Sequence, residues 1–306
     1  MILVAGGTGV LGTRVVRLLG ERELQVRVLT RERSRAAHLA GVEIVEGDVR
    51  DVAAVNRAVD GAQSVVSAIQ GFFGTKNGSP ATIDRDGNLN LIRAAREAGV
   101  EHMVLVSTYD ASPNHPMDLM RMKYAAEQEL KASGLAWTIL RPRAYIETWC
   151  EVLGRPLQKK GKTQVFGGGR NPINWVSALD VARFVTLALE DATMRGQIID
   201  IGGPDNMTMT EFIEVFRSGT AAGGKVGHIP LAAMRVMAVV MKPLNPAMAR
   251  LVQASVVMDT QPQTFDSSEM RRGYPSIPTT RVAEVVRRDF ADAPEAARAS
   301  VPSALA

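Results

Sequence analysis

Gly6, Gly9 and Gly12 recur at three-residue spacing between an apolar run, "MILVA", and a run with apolar side chains at helical intervals, Val10 to Leu19. Glycine weakens strands and helices alike, so its concentration at such a junction needs a reason. Gly6 permits a tight turn out of a strand. Gly9 lets backbone approach a pyrophosphate, and Gly12 lets the following helix sit close on a sheet. Thr8, Val10 and Leu11 fill the same turn, whose free N–H groups and positive helix end would hold the anion. The plainer alternative is a tight strand–helix turn without a ligand. The strand–helix alternation that follows favours a dinucleotide.

A second group ends the next apolar run. "VRVLT" is followed by Arg31, Glu32 and Arg33. An acidic side chain there would accept from a ribose 2'-OH and select NAD, whereas a guanidinium suits a 2'-phosphate. Arg31 therefore points to NADP (NADPH), helped by Arg33 or Arg35. Glu32 keeps NAD as the less favoured choice.

"ILVA", "QVRVLT", "VEIVEGD", "SVVSAI", "HMVLVST" and "AWTILRP" are strands. Between them lie helical patterns at Val10 to Leu19, "SRAAHLA", "VAAVNRAVDG", "DRDGNLNLIRAAREAG" and "LMRMKYAAEQELKASG". Such alternation predicts an α/β fold: a doubly wound, Rossmann-like parallel sheet over roughly 1–150, with a smaller C-terminal substrate lobe. The pattern 174–203 is expected to pack back on the sheet. Residues 151–173 and 204–290 form the lobe, and 291–306 a loose Ala/Pro-rich tail. Met234, Met237, Met241, Met248 and Met258 read as flexible core or as the lining of an adaptable pocket.

Composition excludes several classes. The one cysteine, Cys150, permits no internal disulfide and no cysteine-based zinc site, and the four histidines lack metal-ligand spacing, so no metal is expected. A net charge of +4 over 306 residues does not imply nucleic acid. The most apolar stretch, "IPLAAMRVMAVVMKPL", is interrupted by Arg235, Lys242 and Pro243 and is too short for a membrane span. The start lacks a secretory n-region, so the expected location is cytoplasmic.

"GGTGVLG", "GDVRD", "HMVLVST" and "KYAAEQELKASGLAWTILRP" resemble the atypical short-chain dehydrogenase/reductases, and among them the NmrA-like, NAD(P)-binding group. "NWVSALDVARFVTLALED" and "IIDIGGPDNMTMTEF" extend the resemblance to about residue 215. It implies that Asp48 and Val49 face an adenine, that Ala68 and Ile69 lie beside the cofactor, and that Ser107 and Pro142 border its nicotinamide end. Asp48 reads equally as a cap for the helix that follows.

The superfamily's usual proton donor is a tyrosine four residues before a lysine on one helical face, the lysine holding the ribose and lowering the phenol pKa. Lys123 matches that lysine, with a plain surface lysine as the alternative. Leu119 stands where the tyrosine would be and has no proton to give. Tyr124, next to Lys123, projects about 100° away around the helix. Tyr109, just after "VLVST", is the best replacement, as a catalytic group or a substrate contact. Tyr145 is a further substrate-contact candidate, His115 reads as a loop histidine, and Cys150 as buried packing. A small-molecule acceptor that needs little proton assistance, a quinone or conjugated carbonyl, suits an NADPH oxidoreductase lacking that tyrosine. The competing expectation is a non-catalytic NADP(H)-binding sensor read by a protein partner. A monomer or homodimer fits either.

Overall fold

The computed structural model describes residues 1–74 and 78–291. The expected loose tail, 291–306, lies outside the described residues apart from its first position. The chain divides into two units, Met1–Pro142 with Val181–Asp200, and Arg143–Asp180 with the residues from Ile201 onward.

The first unit is built on strands β1 (Ile2–Ala5), β2 (Val26–Thr30), β3 (Glu43–Glu46), β4 (Ser64–Ser67), β5 (His102–Val106) and β6 (Ala136–Pro142). They alternate with helices α1 (Val10–Gly20), α2 (Val52–Val59), α3 (Asp86–Glu97) and α4 (Asp118–Ala132). The six strands pair in parallel in the order β6-β5-β4-β1-β2-β3. A later strand, β10 (Ile198–Ile201), lies beside β6 and follows helix α7 (Ala178–Glu190). This is the doubly wound sheet expected from the alternation. Its order reverses between β1 and β4, where such sheets open a crevice at their carboxyl edge. The strands are apolar because both faces are covered. Leu3, Ala5, Val65, Met103, Leu105 and Ile139 are buried with Val55, Leu91 and Leu130 from the helices.

Two local expectations are corrected. "SRAAHLA" makes no α-helix; it holds only a 3-10 turn, Arg33–Ala36, of which Ala36 alone is buried, so no apolar stripe exists to pack a longer helix. The helix expected from Asp84 begins as a π-helical turn, Ala81–Arg85, before α3. Such turns are rare and recur at functional sites.

His102 opens β5 and is buried. Its Nε2 lies 3.0 Å from Thr138 Oγ1, whose hydroxyl donates to the Met194 carbonyl at 2.8 Å. Nε2 therefore donates, while Nδ1 is buried with no hydrogen-bond partner among the described residues, which favours the neutral ring. Burial, with Arg195 adding to it, pushes the imidazole down to about 4 from an ordinary 6.5. As pH falls from 6.5 toward 4, the unfolded chain takes up a proton that the folded chain refuses. The stability that the neutral ring contributes is thus complete above 6.5 and lost on acidification. Comparing urea melts at neutral pH and near pH 4, His102→Gln should lose about 2–3 kcal/mol less than the parent. Equal losses would remove His102 from the acid response.

The second unit holds β7 (Ala144–Tyr145), β9 (Ile173–Val176) and β11 (Asp205–Met207) in one small sheet, and β8 (Lys162–Phe166) paired with β12 (Lys225–Ile229) in another. Its helices are α5 (Ile146–Trp149), α6 (Arg155–Lys160), α8 (Met209–Thr220), α9 (Leu231–Leu244), α10 (Pro246–Thr260), α11 (Ser268–Gly273) and α12 (Val282–Asp289). Thr208 caps α8 in a reciprocal capping box with Glu211. The core centres on Trp175, its ring centroid 4.6 Å from that of Phe212, with Phe216, Val285 and the buried thiol of Cys150. Burial, then the nearby Glu147, holds that thiol well above its ordinary range. Met234 is buried, Met237 and Met241 are half-buried, and Met258 packs against the core.

Candidate functional site

Gly6 leaves β1 with φ +85°, a conformation strained for any other residue. A Cβ there would stand 2.6 Å from the Ala68 carbonyl oxygen at the end of β4. At Gly12 a Cβ would reach within 2.0 Å of the Gly6 carbonyl oxygen, so α1 lies directly on the turn. Gly9 differs. It is the N-cap of α1, no side chain caps the helix there, and no acidic residue lies in its first turn. A Cβ on Gly9 would meet only the Gly6 oxygen, at 3.3 Å. The turn leaves the uncapped N–H groups and positive end of α1 without a side-chain cap, the arrangement that suits an anion. That fits a dinucleotide pyrophosphate.

The carboxyl edge of β2 and β3 carries the next group. Thr30 is buried, and its backbone carbonyl accepts from Gly47 N at 2.9 Å, which brings Arg31 and Asp48 to one edge. Arg31 is exposed and has no hydrogen-bond partner among the described residues. Arg33 donates to the Ile44 carbonyl at 3.2 Å. Asp48 does not cap α2; Asp51 does, accepting from Ala53 N at 3.0 Å. The Asp48 carboxylate instead takes the Arg50 guanidinium at 2.6 and 2.8 Å and the Arg50 N–H at 2.9 Å. Those bonds, with Arg31 nearby, hold its carboxyl below the ordinary range against the cost of partial burial. Val49 turns toward α3: a Cβ on Gly87 would meet it at 2.7 Å, and its carbonyl accepts from Asn90.

The largest departure from expectation is at Lys123. It is no surface lysine. Its Nζ donates to the carbonyls of Ile69 at 2.8 Å and Val106 at 3.0 Å and lies 3.1 Å from Asp84 Oδ1. The ammonium thus ties the ends of β4 and β5 to the π turn before α3. Asp84 is fully buried, and its other oxygen accepts from Gly71 N at 2.8 Å. Burial pushes the Asp84 carboxyl up, while Lys123 and the Gly71 N–H oppose it. Asn88 extends the cluster, accepting from Ser67 Oγ and donating to the Asp84 carbonyl, each at 2.6 Å. Asp84, Asn88 and Glu127 were not foreseen in the sequence.

One helical turn beyond Lys123 lies Glu127, also buried. Both its oxygens accept from Arg141, at 2.9 and 2.5 Å, and Oε1 also accepts from Ser107 Oγ at 2.5 Å. The Ser107 hydroxyl proton is therefore committed inward. Leu119, Lys123 and Glu127 share the buried face of α4 with Ala126 and Leu130. Two charged residues four apart on an otherwise apolar face were the available signal for this cluster.

Tyr109 sits half-buried on the turn after β5, its N–H bonded to the Pro142 carbonyl at 3.1 Å, so Ser107, Tyr109 and Pro142 share one edge. His115 Nδ1 accepts from Met117 N at 3.1 Å, a loop staple. Tyr145 belongs to the second unit. Burial there, with Glu147 adding, pushes its phenol far above the ordinary range, which makes it a poor acid.

Residues 6–192 match the family described as NAD(P)H-binding. The chain is 29% identical over 235 residues to an NAD(P)H azoreductase of Xenophilus azovorans, covering 76% of this chain and 77% of that protein. It is 28% identical over 239 residues to the photosystem II assembly factor Ycf39 of Synechocystis sp., covering 77% and 72%. Its fold is similar to that of an NADPH-dependent quinone oxidoreductase from Escherichia coli solved with NADPH. The TM-score is 0.75 at 22% identity, over 95% of this chain and all (100%) of that one.

Proposed function

This chain belongs to the NAD(P)H-binding family, and on that premise we propose that it is an NADPH-dependent oxidoreductase acting on a small, partly apolar, conjugated acceptor such as a quinone. One observation carries the choice of acceptor: Leu119 offers no proton, and Ser107 spends its own on Glu127. Reducing an isolated ketone builds charge on one oxygen, which needs a donor in place. A quinone spreads that charge over its ring and second oxygen, so water can deliver the proton.

The turn from Gly6 to Gly12, with Thr8, Val10 and Leu11, would hold the pyrophosphate. Arg31, exposed and without a hydrogen-bond partner among the described residues, would take the 2'-phosphate. Asp48 and Val49 would border the adenine. Ala68, Ile69, Ser107 and Pro142 would line the rest, with Tyr109 at the acceptor. When bound, the dinucleotide supplies the hydride. Arg141 and Glu127 fix the Ser107 hydroxyl so that its lone pairs, not its proton, face outward. Ser107 can then accept from an amide N–H but cannot protonate an acceptor. Lys123 we assign to positioning: its contacts hold β4, β5 and the π turn together.

That assignment strengthens the second reading, a non-catalytic NADPH sensor. A lysine explained by structure is no sign of catalysis. The similarity to the azoreductase supports the enzyme, and the similarity to an assembly factor supports the sensor. Turnover separates them. NADPH oxidation should be roughly a hundredfold faster with quinones than with isolated ketones. Arg31→Asp should lower the ratio of NADPH to NADH affinity by at least roughly tenfold. Tight NADPH binding without turnover on quinones, enones or ketones would establish the sensor. Equal loss of both nucleotides would remove the 2'-phosphate contact.

A further inference from the structure

All fourteen residues of α9 except Arg235, Lys242 and Pro243 are apolar, yet only Met234 among them is buried. Val236, Val239, Val240 and Leu244 are 55–76% exposed. Their spacing puts them on one stripe, which the exposed Ala232, Ala233 and Pro243 extend. Arg235 and Lys242, two turns apart and exposed, run along one side of it. From Pro230 to Met258 there is no acidic residue.

The stripe is carried on an anchored hairpin. Asn245 caps α10 by accepting from Met248 N. At the far end of α10, Asp259 accepts from the N–H groups of Gly168 and Gly169, each at 3.1 Å. Asn171 donates to the carbonyls of Met258 and Gln261. The hairpin is therefore fixed through α10, and the outer stripe of α9 faces solvent.

We propose that the outer face of α9 binds the surface of an anionic lipid bilayer. An apolar stripe flanked by cations and free of carboxylates matches an interfacial helix: the stripe enters the acyl boundary while Arg235 and Lys242 meet phosphate headgroups. A second copy of this chain fits worse, because a two-fold contact through the same face supplies no carboxylate to either cationic row. The contact is peripheral, since no helix among the described residues is long and apolar enough to cross a membrane. It stands whether or not a hydride is transferred.

The test is co-sedimentation of the full chain with vesicles of phosphatidylcholine alone, or with about one third phosphatidylglycerol. Binding should be at least roughly tenfold stronger to the anionic vesicles and weaken with salt. Val239→Asp with Leu244→Asp should abolish it. Arg235→Gln with Lys242→Gln should remove the anionic preference. Both double variants should keep the parent's NADPH affinity, which confirms their fold. Failure of the parent to bind anionic vesicles would overturn the proposal. So would binding that survives both pairs of substitutions. A concentration-dependent dimer, seen by light scattering without vesicle binding and split by the Asp pair, would assign the face to self-association instead.

Discussion

A Gly9→Asp variant should melt no lower than the parent yet bind NADPH at least roughly a hundredfold more weakly, about 3 kcal/mol. The two effects separate because Gly9 is the N-cap of α1 and has extended backbone, φ −85° and ψ 175°. Aspartate is a favoured N-cap, and its charge suits the positive helix end. Those gains should offset the 3.3 Å approach of the new Cβ to the Gly6 carbonyl oxygen, so stability should hold. The same carboxylate would satisfy the N–H groups reserved for phosphate and repel the phosphate itself. Gly12→Ala should do the opposite first and destabilise the fold, because its Cβ meets the Gly6 carbonyl at 2.0 Å. Calorimetry and NADPH titration read both. If Gly9→Asp bound NADPH as the parent does, the glycine turn would be a packing device only.

Lys123→Met should cost about 3–5 kcal/mol of stability, the usual result of stranding one half of a buried ion pair. Asp84 would keep the Gly71 N–H but lose its cation. Adding Asp84→Asn should restore at least half of the loss, since the amide still accepts from Gly71 and carries no charge. The pH dependence has a definite sign. Without Lys123 the buried carboxyl is pushed further above its unfolded value. The folded variant then holds a proton that the unfolded chain releases, so its stability falls as pH rises through the Asp84 pKa. The penalty should be smaller in mild acid than at neutral pH. Denaturant melts of the single and double variants check this. A lysine whose task is to grip a ribose predicts the reverse: an unchanged melt and a raised KM for NADPH.

The sheet was legible because its strands are buried on both faces and its helices carry one apolar face each, so periodicity alone marked β6 at Ala136–Pro142. "SRAAHLA" misled because a local helical composition had no core to meet. The glycine turn was legible because conformational demand selects residue type at each position. The polar cluster beneath it was not. Asp84, Asn88 and Glu127 lie on helical faces that otherwise read as ordinary core or solvent positions. Their role depends on partners that the fold brings together: Lys123 and the Gly71 N–H for Asp84, Ser67 for Asn88, and Arg141 with Ser107 for Glu127. Lys123 was singled out, but its partners were hidden, and with them the difference between a ligand-facing and a buried ammonium. The methionines of α9 were read as core or pocket lining, and its outer face of Val236, Val239, Val240 and Leu244 was not singled out. Helical periodicity gives the stripe but not which side of it finds a neighbour.

The proposed reaction is hydride transfer from NADPH to a conjugated acceptor. Deuterium tracing from NADPH labelled at C4 tests it most directly, run anaerobically with a quinone in light and heavy label. Quinone should drive loss of label from one face of C4, more slowly for the heavy isotope. NADPH that binds and keeps its deuterium with every acceptor would contradict it.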